Sequence, residues 1–179
     1  MFVELCILVG VLILLYLLAI MPKLRKNPNR IKFEGWYYAH RGIHDNKHLA
    51  PENSLEAFRL AVESGYGIEL DVQVTKDLVP VVFHDYNLNR ACGVDKKVSE
   101  LDYEELLQYK LFKSQERIPT LREVLDIIEG KVPIIVELKI PWKPDETCMA
   151  TSEELKDYSG LYCIESFNPF GLGWYKKHH

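Results

Sequence analysis

The sequence predicts an α/β fold of the TIM (β/α)8-barrel type, and three observations lead to this prediction. From Gly35 onward, strand patterns alternate with helix patterns, which is the order of βαβ units around a parallel sheet. Polar residues stand at the carboxyl ends of several strands, where such barrels carry their sites. No G-x-G-x-x-G or Walker A run is present, so nothing indicates a nucleotide-binding doubly wound sheet.

The bulk composition fits one globular domain in a chain of 179 residues. A net charge of -4 gives no reason to expect a nucleic acid as a partner. The four cysteines include no C-x-x-C pair, so they predict structural thiols in a reducing compartment rather than a disulfide framework.

Residues 1–21 form an apolar run with a single charge, Glu4, close to its outer end. About 20 apolar residues span the hydrocarbon core of a bilayer. The run is apolar on all sides, and it lacks the basic start and the small-residue cleavage site of a signal peptide. We therefore expect one transmembrane anchor.

Residues 22–34 form a basic linker in which every charge before Glu34 is positive. Its basic residues are Lys23, Arg25, Lys26, Arg30 and Lys32. Positive charge beside a membrane span places that end in the cytoplasm, and it attracts anionic lipid by about 1 kcal/mol per residue. The sequence thus predicts a single-pass protein of the cell membrane, with residues 35–179 forming the domain on the cytoplasmic side.

The first half of that domain contains three strand patterns and one helix. The strands are predicted over 36–40, 68–74 and 78–84, and a turn at 75–77 separates the last two. A helix over 53–65 opens with Asn53 and has Glu56 three residues later, which is the spacing of a capping box.

The second half contains two more strand patterns and several helices. Helices are predicted over 101–112 and 120–130, and Thr120 with Glu123 forms a second capping-box pair. A strand over 132–140 follows, then a helix near 152–160, a strand over 161–167 and the start of another helix from 169.

Strand 68–74 alternates between apolar and polar residues, which indicates two different faces. The apolar row suits a layer of helices, so the polar row is expected to point into the barrel. The apolar row is Ile68, Leu70, Val72 and Val74, and the polar row is Glu69, Asp71 and Gln73. By the same alternation, Glu137 and Lys139 share the inward face of strand 132–140. The sequence therefore predicts three carboxylates in one concave mouth.

Two interpretations of these carboxylates stand side by side. Buried acids without partners cost several kcal/mol each, and a hard divalent cation such as Mg2+ or Ca2+ removes that cost through oxygen ligands. Alternatively, the acids form ordinary ion pairs with Arg41 and Lys139. The spacing of the residues does not choose between a metal site and ion pairs.

Two histidines, His40 and His84, end strands and should reach the same mouth. Two imidazoles near a cation can act as general base and general acid. Arg41 and Lys139 would hold an anion, and the fork of a guanidinium suits phosphate. Together these residue types indicate phosphoryl transfer.

The chain resembles the glycerophosphodiester phosphodiesterases in seven sequence blocks that occur in the order of that family. The blocks are HRG (40–42), PENS (51–54), IELDVQVTKD (68–77), VVFHD (81–85), IPTLREVL (118–125), VELK (136–139) and IESFNP (164–169). The resemblance implies a TIM-barrel hydrolase that cleaves glycerophosphodiesters to an alcohol and glycerol 3-phosphate.

The same resemblance implies roles for individual residues. Glu69, Asp71 and Glu137 would be the metal ligands, His40 and His84 the acid–base pair, and Arg41 and Lys139 the phosphate-binding residues. Glu52 belongs to the site region of the family.

Five strand patterns can be counted in residues 35–179, so the predicted barrel has about five of eight βα units. A complete barrel needs about 250 residues, which is more than this region contains. Strands six to eight have no counterpart. We therefore expect a partial domain, which is a truncated gene product, a fragment, or a subunit that self-association would complete. Two alternatives to an active enzyme are a non-catalytic, membrane-bound remnant of the family and a lipid-surface binding module that uses the basic linker.

Overall fold

The computed structural model describes residues 2–20, 28–141 and 144–179. It divides into two compact units, Met1–Glu34 and Gly35–His179. The first unit contains helix α1 (Phe2–Ile20) and a 3-10 turn, Pro28–Phe33. Three basic residues of the predicted linker, Lys23, Arg25 and Lys26, lie outside the described residues, as do both ends of the predicted anchor.

Helix α1 coincides with the apolar run, and the side chains of residues 2–17 are exposed. Among the described residues, however, no helix is both long and apolar enough to cross a membrane. The structure therefore gives no support to the transmembrane anchor predicted over 1–21.

The second unit is built around a parallel sheet of four strands, which confirms the predicted α/β class. The strands are β1 (Tyr38–His40), β2 (Gly67–Val74), β4 (Ile134–Leu138) and β5 (Tyr162–Glu165), and they lie in the order β1-β2-β4-β5. The strand predicted over 78–84, third along the chain, is β3 (Pro80–Val82), and it pairs with β2 in the antiparallel direction. The described sheet thus contains four parallel strands and not the five βα units that we expected.

A tight turn explains the direction of β3. Thr75 N–H donates to the carbonyl of Val79 at 3.1 Å, and Leu78 N–H donates to the carbonyl of Thr75 at 3.0 Å. A connection this short joins antiparallel strands, whereas a parallel crossover needs a dozen or more residues. The hairpin brings the chain back along β2, and Phe83 N–H donates to the carbonyl of Asp71 at 2.9 Å.

The described residues of this unit form six α-helices: α2 (Leu55–Glu63), α3 (Asn89–Cys92), α4 (Tyr103–Leu106), α5 (Leu121–Ile128), α6 (Pro144–Leu155) and α7 (Pro169–His178). The predicted Thr120–Glu123 capping box starts α5. The helix predicted over 101–112 is only the single turn of α4, whereas α6 begins earlier than the helix predicted near 152–160.

The core lies where the helices cover β2 and β4. Ile68, Leu70 and Val72 are fully buried in one cluster with Phe58 of α2 and Leu121 of α5. Burying each such side chain contributes about 1.5–3 kcal/mol. This packing holds β2 in place and with it the polar row on its other face.

Candidate active site

The three predicted metal-binding acids meet at the carboxyl end of the parallel sheet. Asp71 on β2 is the direct partner of Glu137 on β4, and Glu69 lies two residues earlier on β2. One carboxylate oxygen from each residue lies within 4.8 Å of the others. Asp71 and Glu137 are buried, and Glu69 is half-buried. The structure therefore brings together the three acids that the sequence predicted.

Lys139 and Arg41 both contact this acidic cluster. The ammonium of Lys139 lies 2.7 Å from Oε1 of Glu137 and 3.0 Å from Oδ1 of Asp71. Burial alone would lower the pKa of Lys139, but the contacts with Glu137 and Asp71 outweigh burial and raise that pKa. Nε of Arg41 lies 3.2 Å from Oδ2 of Asp71. The predicted ion pairs are thus present.

Glu69 is the acid of this cluster that the described ion pairs of Lys139 and Arg41 leave out. Its carboxylate accepts a hydrogen bond of 3.3 Å from the backbone N–H of Arg41. Burial, followed by the charge of Asp71, raises the pKa of Glu69 to about 7. An acid with so high a pKa resists ionisation beside its neighbours, and a divalent cation relieves this repulsion. The oxygen-only ligand set therefore fits a hard divalent cation even though the ion pairs form.

Arg41 is held from its other side by Glu52. Nη1 of Arg41 donates to Oε1 of Glu52 at 2.8 Å, and Nδ2 of Asn46 donates to Oε2 of Glu52 at 2.7 Å. Burial would raise the pKa of Glu52, but hydrogen bonds from Arg90, Asn46 and Arg41 outweigh it and lower that pKa to about 2. Glu52 therefore stays ionised and anchors the guanidinium of Arg41.

The two predicted acid–base histidines flank the cluster. His40 is exposed, and its Nε2 lies 3.8 Å from Oε2 of Glu69. Burial and the charge of Arg41 lower the pKa of His40. His84 lies two residues beyond β3, and its Nδ1 lies 2.6 Å from Oδ1 of Asp85. An ionised Asp85 can only accept, so Nδ1 of His84 carries the proton in this contact.

A cavity of about 850 Å3 opens beside the cluster. Its lining includes His84, Glu137 and Lys139 together with Phe167 and Phe170. The cavity is large enough for a small organic phosphate. Its lining thus offers an imidazole, a carboxylate and an ammonium to one such molecule.

Sequence reasoning missed Asn53, Asp85 and Arg90. Asn53 was predicted to cap α2, but Ser54 is the cap residue, and its side chain accepts from Ala57 N–H. Asn53 has a φ of 56° and donates instead to the buried Asp71. Both Asn and Ser cap helices well, so the sequence offered Asn53 and Ser54 as alternative cap residues and did not choose between them.

Asp85 and Arg90 had weaker signals in the sequence. Asp85 follows His84 directly, which places a carboxylate next to an imidazole but does not indicate whether the two side chains point the same way. Arg90 lies in α3, which is a single turn. Nothing in the pattern of that turn indicates that its arginine reaches Glu52.

A family model described as the glycerophosphoryl diester phosphodiesterase family matches residues 40–166. Among curated proteins, the chain is 36% identical over 152 residues to a glycerophosphodiester phosphodiesterase of Caldanaerobacter subterraneus, covering 78% of this chain and 60% of that protein. It is also 36% identical over 144 residues to the human lysophospholipase D GDPD1, covering 73% of this chain and 45% of that protein.

Solved structures show the same similarity. A phosphodiesterase of Oleispira antarctica in complex with the product sn-glycerol-3-phosphate matches with a TM-score of 0.73 and 32% identity, over 82% of this chain and 63% of that one. A glycerophosphodiester phosphodiesterase of Thermotoga maritima matches with a TM-score of 0.64 and 33% identity, over 78% and 57%. The described α/β fold is thus like that of these TIM-barrel phosphodiesterases, and the chain spans about half to two thirds of their length.

Proposed function

The chain belongs to the glycerophosphoryl diester phosphodiesterase family, and from this premise we propose that it hydrolyses glycerophosphodiesters to an alcohol and glycerol 3-phosphate with the help of a divalent cation. The observation that carries this proposal is the meeting of three acids, two cationic side chains and two histidines at one end of the sheet. The product-bound relative from Oleispira antarctica supports the substrate class.

Glu69, Asp71 and Glu137 would hold the cation through carboxylate oxygens, a ligand set that Mg2+ and Ca2+ prefer. When bound there, such a cation supplies Lewis-acid stabilisation of negative charge on phosphate oxygens. Its binding requires Glu69 in the ionised form, which burial and then the neighbouring acids disfavour by raising the pKa of Glu69 to about 7.

Arg41 and Lys139 would neutralise the charge of the phosphodiester. Both side chains are largely buried, with 16% and 12% of their surfaces exposed. Cationic groups in a partly dry site interact more strongly with a phosphate than they would in water. Asp71 and Glu52 hold Nε and Nη1 of Arg41, so the guanidinium would meet the phosphate in a fixed orientation.

His40 and His84 would move the protons. One imidazole accepts a proton from the attacking oxygen, that of water or of the glycerol hydroxyl, and the other donates a proton to the oxygen of the leaving alcohol as its P–O bond breaks. Where the glycerol hydroxyl attacks first, a water molecule then opens the cyclic phosphate to glycerol 3-phosphate. Asp85 holds Nδ1 of His84, so Nε2 is the atom of that ring which exchanges a proton with the substrate. Nε2 of His40 lies 3.8 Å from Oε2 of Glu69, beside the predicted cation site.

The proposal is tested with the purified full chain, glycerophosphocholine and bis(p-nitrophenyl) phosphate, in Mg2+, in Ca2+ and in EDTA. We expect turnover that requires the cation and that falls by at least about 100-fold in Glu69→Ala, because mutation of groups around a metal site costs on the order of 10- to 100-fold or more. Glu104→Ala, an exposed acid outside the site, is the matched control. Folded, cation-loaded protein without any turnover would refute the proposal and favour a non-catalytic member of the family.

A location at the cytoplasmic face of the cell membrane stays a prediction from the sequence. Its basis is the apolar run over 1–21 followed by the basic linker over 22–34, and the predicted anchor and the predicted self-association have no support among the described residues. Fractionation of cells, with carbonate extraction of the membrane pellet, tests this prediction. Release of the protein by carbonate would exclude an integral anchor.

A further inference from the structure

Arg90 forms four hydrogen bonds to two carboxylates beside the candidate site. Its Nε donates to Oδ2 of Asp85 at 2.7 Å, and its Nη2 donates to Oδ1 of Asp85 at 3.2 Å. Its Nη1 donates to Oε2 of Glu52 at 3.0 Å, and its Nη2 also donates to Oε1 of Glu52 at 2.6 Å. The guanidinium thus pairs in a forked manner with both acids.

Each of these carboxylates also holds a residue of the candidate site. Asp85 contacts Nδ1 of His84 at 2.6 Å, and Glu52 accepts from Nη1 of Arg41 at 2.8 Å. Arg90 is therefore the centre of a continuous chain of hydrogen bonds from His84, through the two acids, to Arg41. This chain joins the predicted proton-transfer group to the predicted phosphate-binding group, although the two lie 43 residues apart in sequence.

A purely structural ion pair would look different. The arginines Arg59, Arg117 and Arg122 also pair with acids among the described residues, but none of their partners, Glu56, Glu63, Glu123 and Glu154, contacts a predicted site residue. Arg90 differs because each of its partner carboxylates also contacts a predicted site residue, Asp85 the imidazole of His84 and Glu52 the guanidinium of Arg41. Cζ of Arg90 also lies over the ring of Phe112, 5.5 Å from its centroid, where a cation is attracted by the ring face.

We propose that Arg90 is a positioning residue, which orients the imidazole of His84 through Asp85 and the guanidinium of Arg41 through Glu52. The inference rests on the proposed function for its effect on turnover. Whether Arg90 orients His84 through Asp85 can be tested without turnover.

The first test is spectroscopic and needs no substrate. In the full chain labelled with 15N, the Nδ1–H proton of His84 gives a downfield NMR signal, which is assigned by its loss in His84→Gln. We expect Arg90→Met to shift or broaden this signal, because Asp85 loses both bonds that fix its carboxylate. Arg122→Met is the matched control, since Arg122 also pairs with a carboxylate at 2.8 Å, that of Glu154, and is equally exposed; it should leave the signal unchanged. An unchanged His84 signal in folded Arg90→Met would overturn the proposal.

The second test is kinetic. We expect Arg90→Met to lower kcat on the order of 10- to 100-fold, as small displacements of catalytic groups do. Arg90→Lys should recover little of this loss, because an ammonium keeps the charge but cannot pair in a forked manner with two carboxylates. Circular dichroism and thermal unfolding check that both variants fold, and Arg122→Met should keep its kcat.

A double variant separates positioning from a general loss of stability. If Arg90 acts through Asp85, the losses of kcat in Arg90→Met and Asp85→Asn overlap, so the double variant is little worse than the worse single variant. Losses that multiply in full would contradict the proposal. A wild-type chain without turnover would instead refute the proposed function, and the His84 signal would still decide the role of Arg90.

Discussion

Asn53 donates a hydrogen bond of 2.8 Å from its Nδ2 to Oδ2 of Asp71, and both side chains are almost completely buried. The bond ties the loop before α2 to the strand that carries two of the three clustered acids. Oδ1 of Asn53 is also buried and has no hydrogen-bond partner among the described residues. This amide therefore directs its donor at the acidic cluster and leaves its acceptor unpaired.

We expect Asn53→Gly to lower the free energy of unfolding by about 1–3 kcal/mol, because the buried Asp71 loses a donor. Asn53→Ala should lower it by about 1 kcal/mol more, since alanine tolerates the φ of 56° at this position less well than glycine does. Urea denaturation of wild type and the two variants measures both the cost of losing the donor to Asp71 and the extra backbone cost in the alanine variant. Equal stability of the glycine and alanine variants would contradict the backbone conformation described here.

The low pKa of Glu52 predicts how stability depends on pH. Hydrogen bonds from Arg90, Asn46 and Arg41 overcome burial and lower this pKa from an ordinary value of 4.5 to about 2. A lowered pKa contributes stability that is present above pH 4.5 and is lost as the pH falls toward 2. This contribution is on the order of 2 kcal/mol once solvent screening is included.

Denaturation of wild type and Glu52→Gln at pH 7 and at pH 3 checks this prediction. The difference in the free energy of unfolding between the two proteins should be smaller at pH 3, where part of the advantage of the wild-type carboxylate is gone. Glu104→Gln, an exposed acid outside the site, is the control. A difference that does not change with pH would contradict the described contacts of Glu52.

The high pKa of Glu69 predicts that cation binding and proton binding compete. In the absence of a cation, burial and the charge of Asp71 keep this pKa at about 7. A raised pKa contributes stability below the ordinary value of 4.5, and this stability is lost as the pH rises through 7. A bound cation removes the repulsion, so its affinity should rise with pH across the same window.

Calorimetric titration of Mg2+ or Ca2+ in buffers with different heats of ionisation measures the released protons. We expect close to one proton per cation at pH 6 and far less at pH 8, and Glu69→Gln should abolish the release. An affinity that is independent of pH, without proton release, would show that Glu69 is not a ligand.

The two predicted acid–base histidines should matter far more than a solvent-exposed histidine. We expect His40→Gln and His84→Gln to lower kcat by about 100- to 10,000-fold, the usual contribution of general acid–base catalysis. His48→Gln is the control, because His48 is exposed and pairs only with Asp45 among the contacts described. Steady-state kinetics of the three variants with glycerophosphocholine measure these changes in kcat. A loss of kcat in His48→Gln as large as in the other two variants would contradict the acid–base roles of His40 and His84.

Local patterns were sufficient to predict much of this site. The alternation in β2 placed Ile68, Leu70 and Val72 in the core and left Glu69 and Asp71 together on the other face. Strand alternation has a period of two, so one buried row determines where the other row points. The same reasoning placed Glu137 beside them, and the spacing of Thr120 and Glu123 correctly predicted the start of α5.

Interactions between distant residues could not be predicted in this way. The four-residue helix α3 has no pattern that indicates its contact with Glu52, 38 residues away. The direction of β3 was signalled by the short turn after β2, but the strand pattern alone gave no direction. The burial of Asp71 requires a donor, and only the folded loop shows that Asn53 is that donor while Ser54 caps the helix.

The sequence by itself determined the family, the parallel α/β class and the residue types that meet at the end of the sheet, because each of these depends on short-range periodicity and on motif residues. Only the tertiary structure decided that the ion pairs of Lys139 and Arg41 leave Glu69 out, and that Arg90 connects His84 to Arg41. These facts depend on which charged groups come within a few ångströms of one another, and that distance is set by packing and not by spacing along the chain.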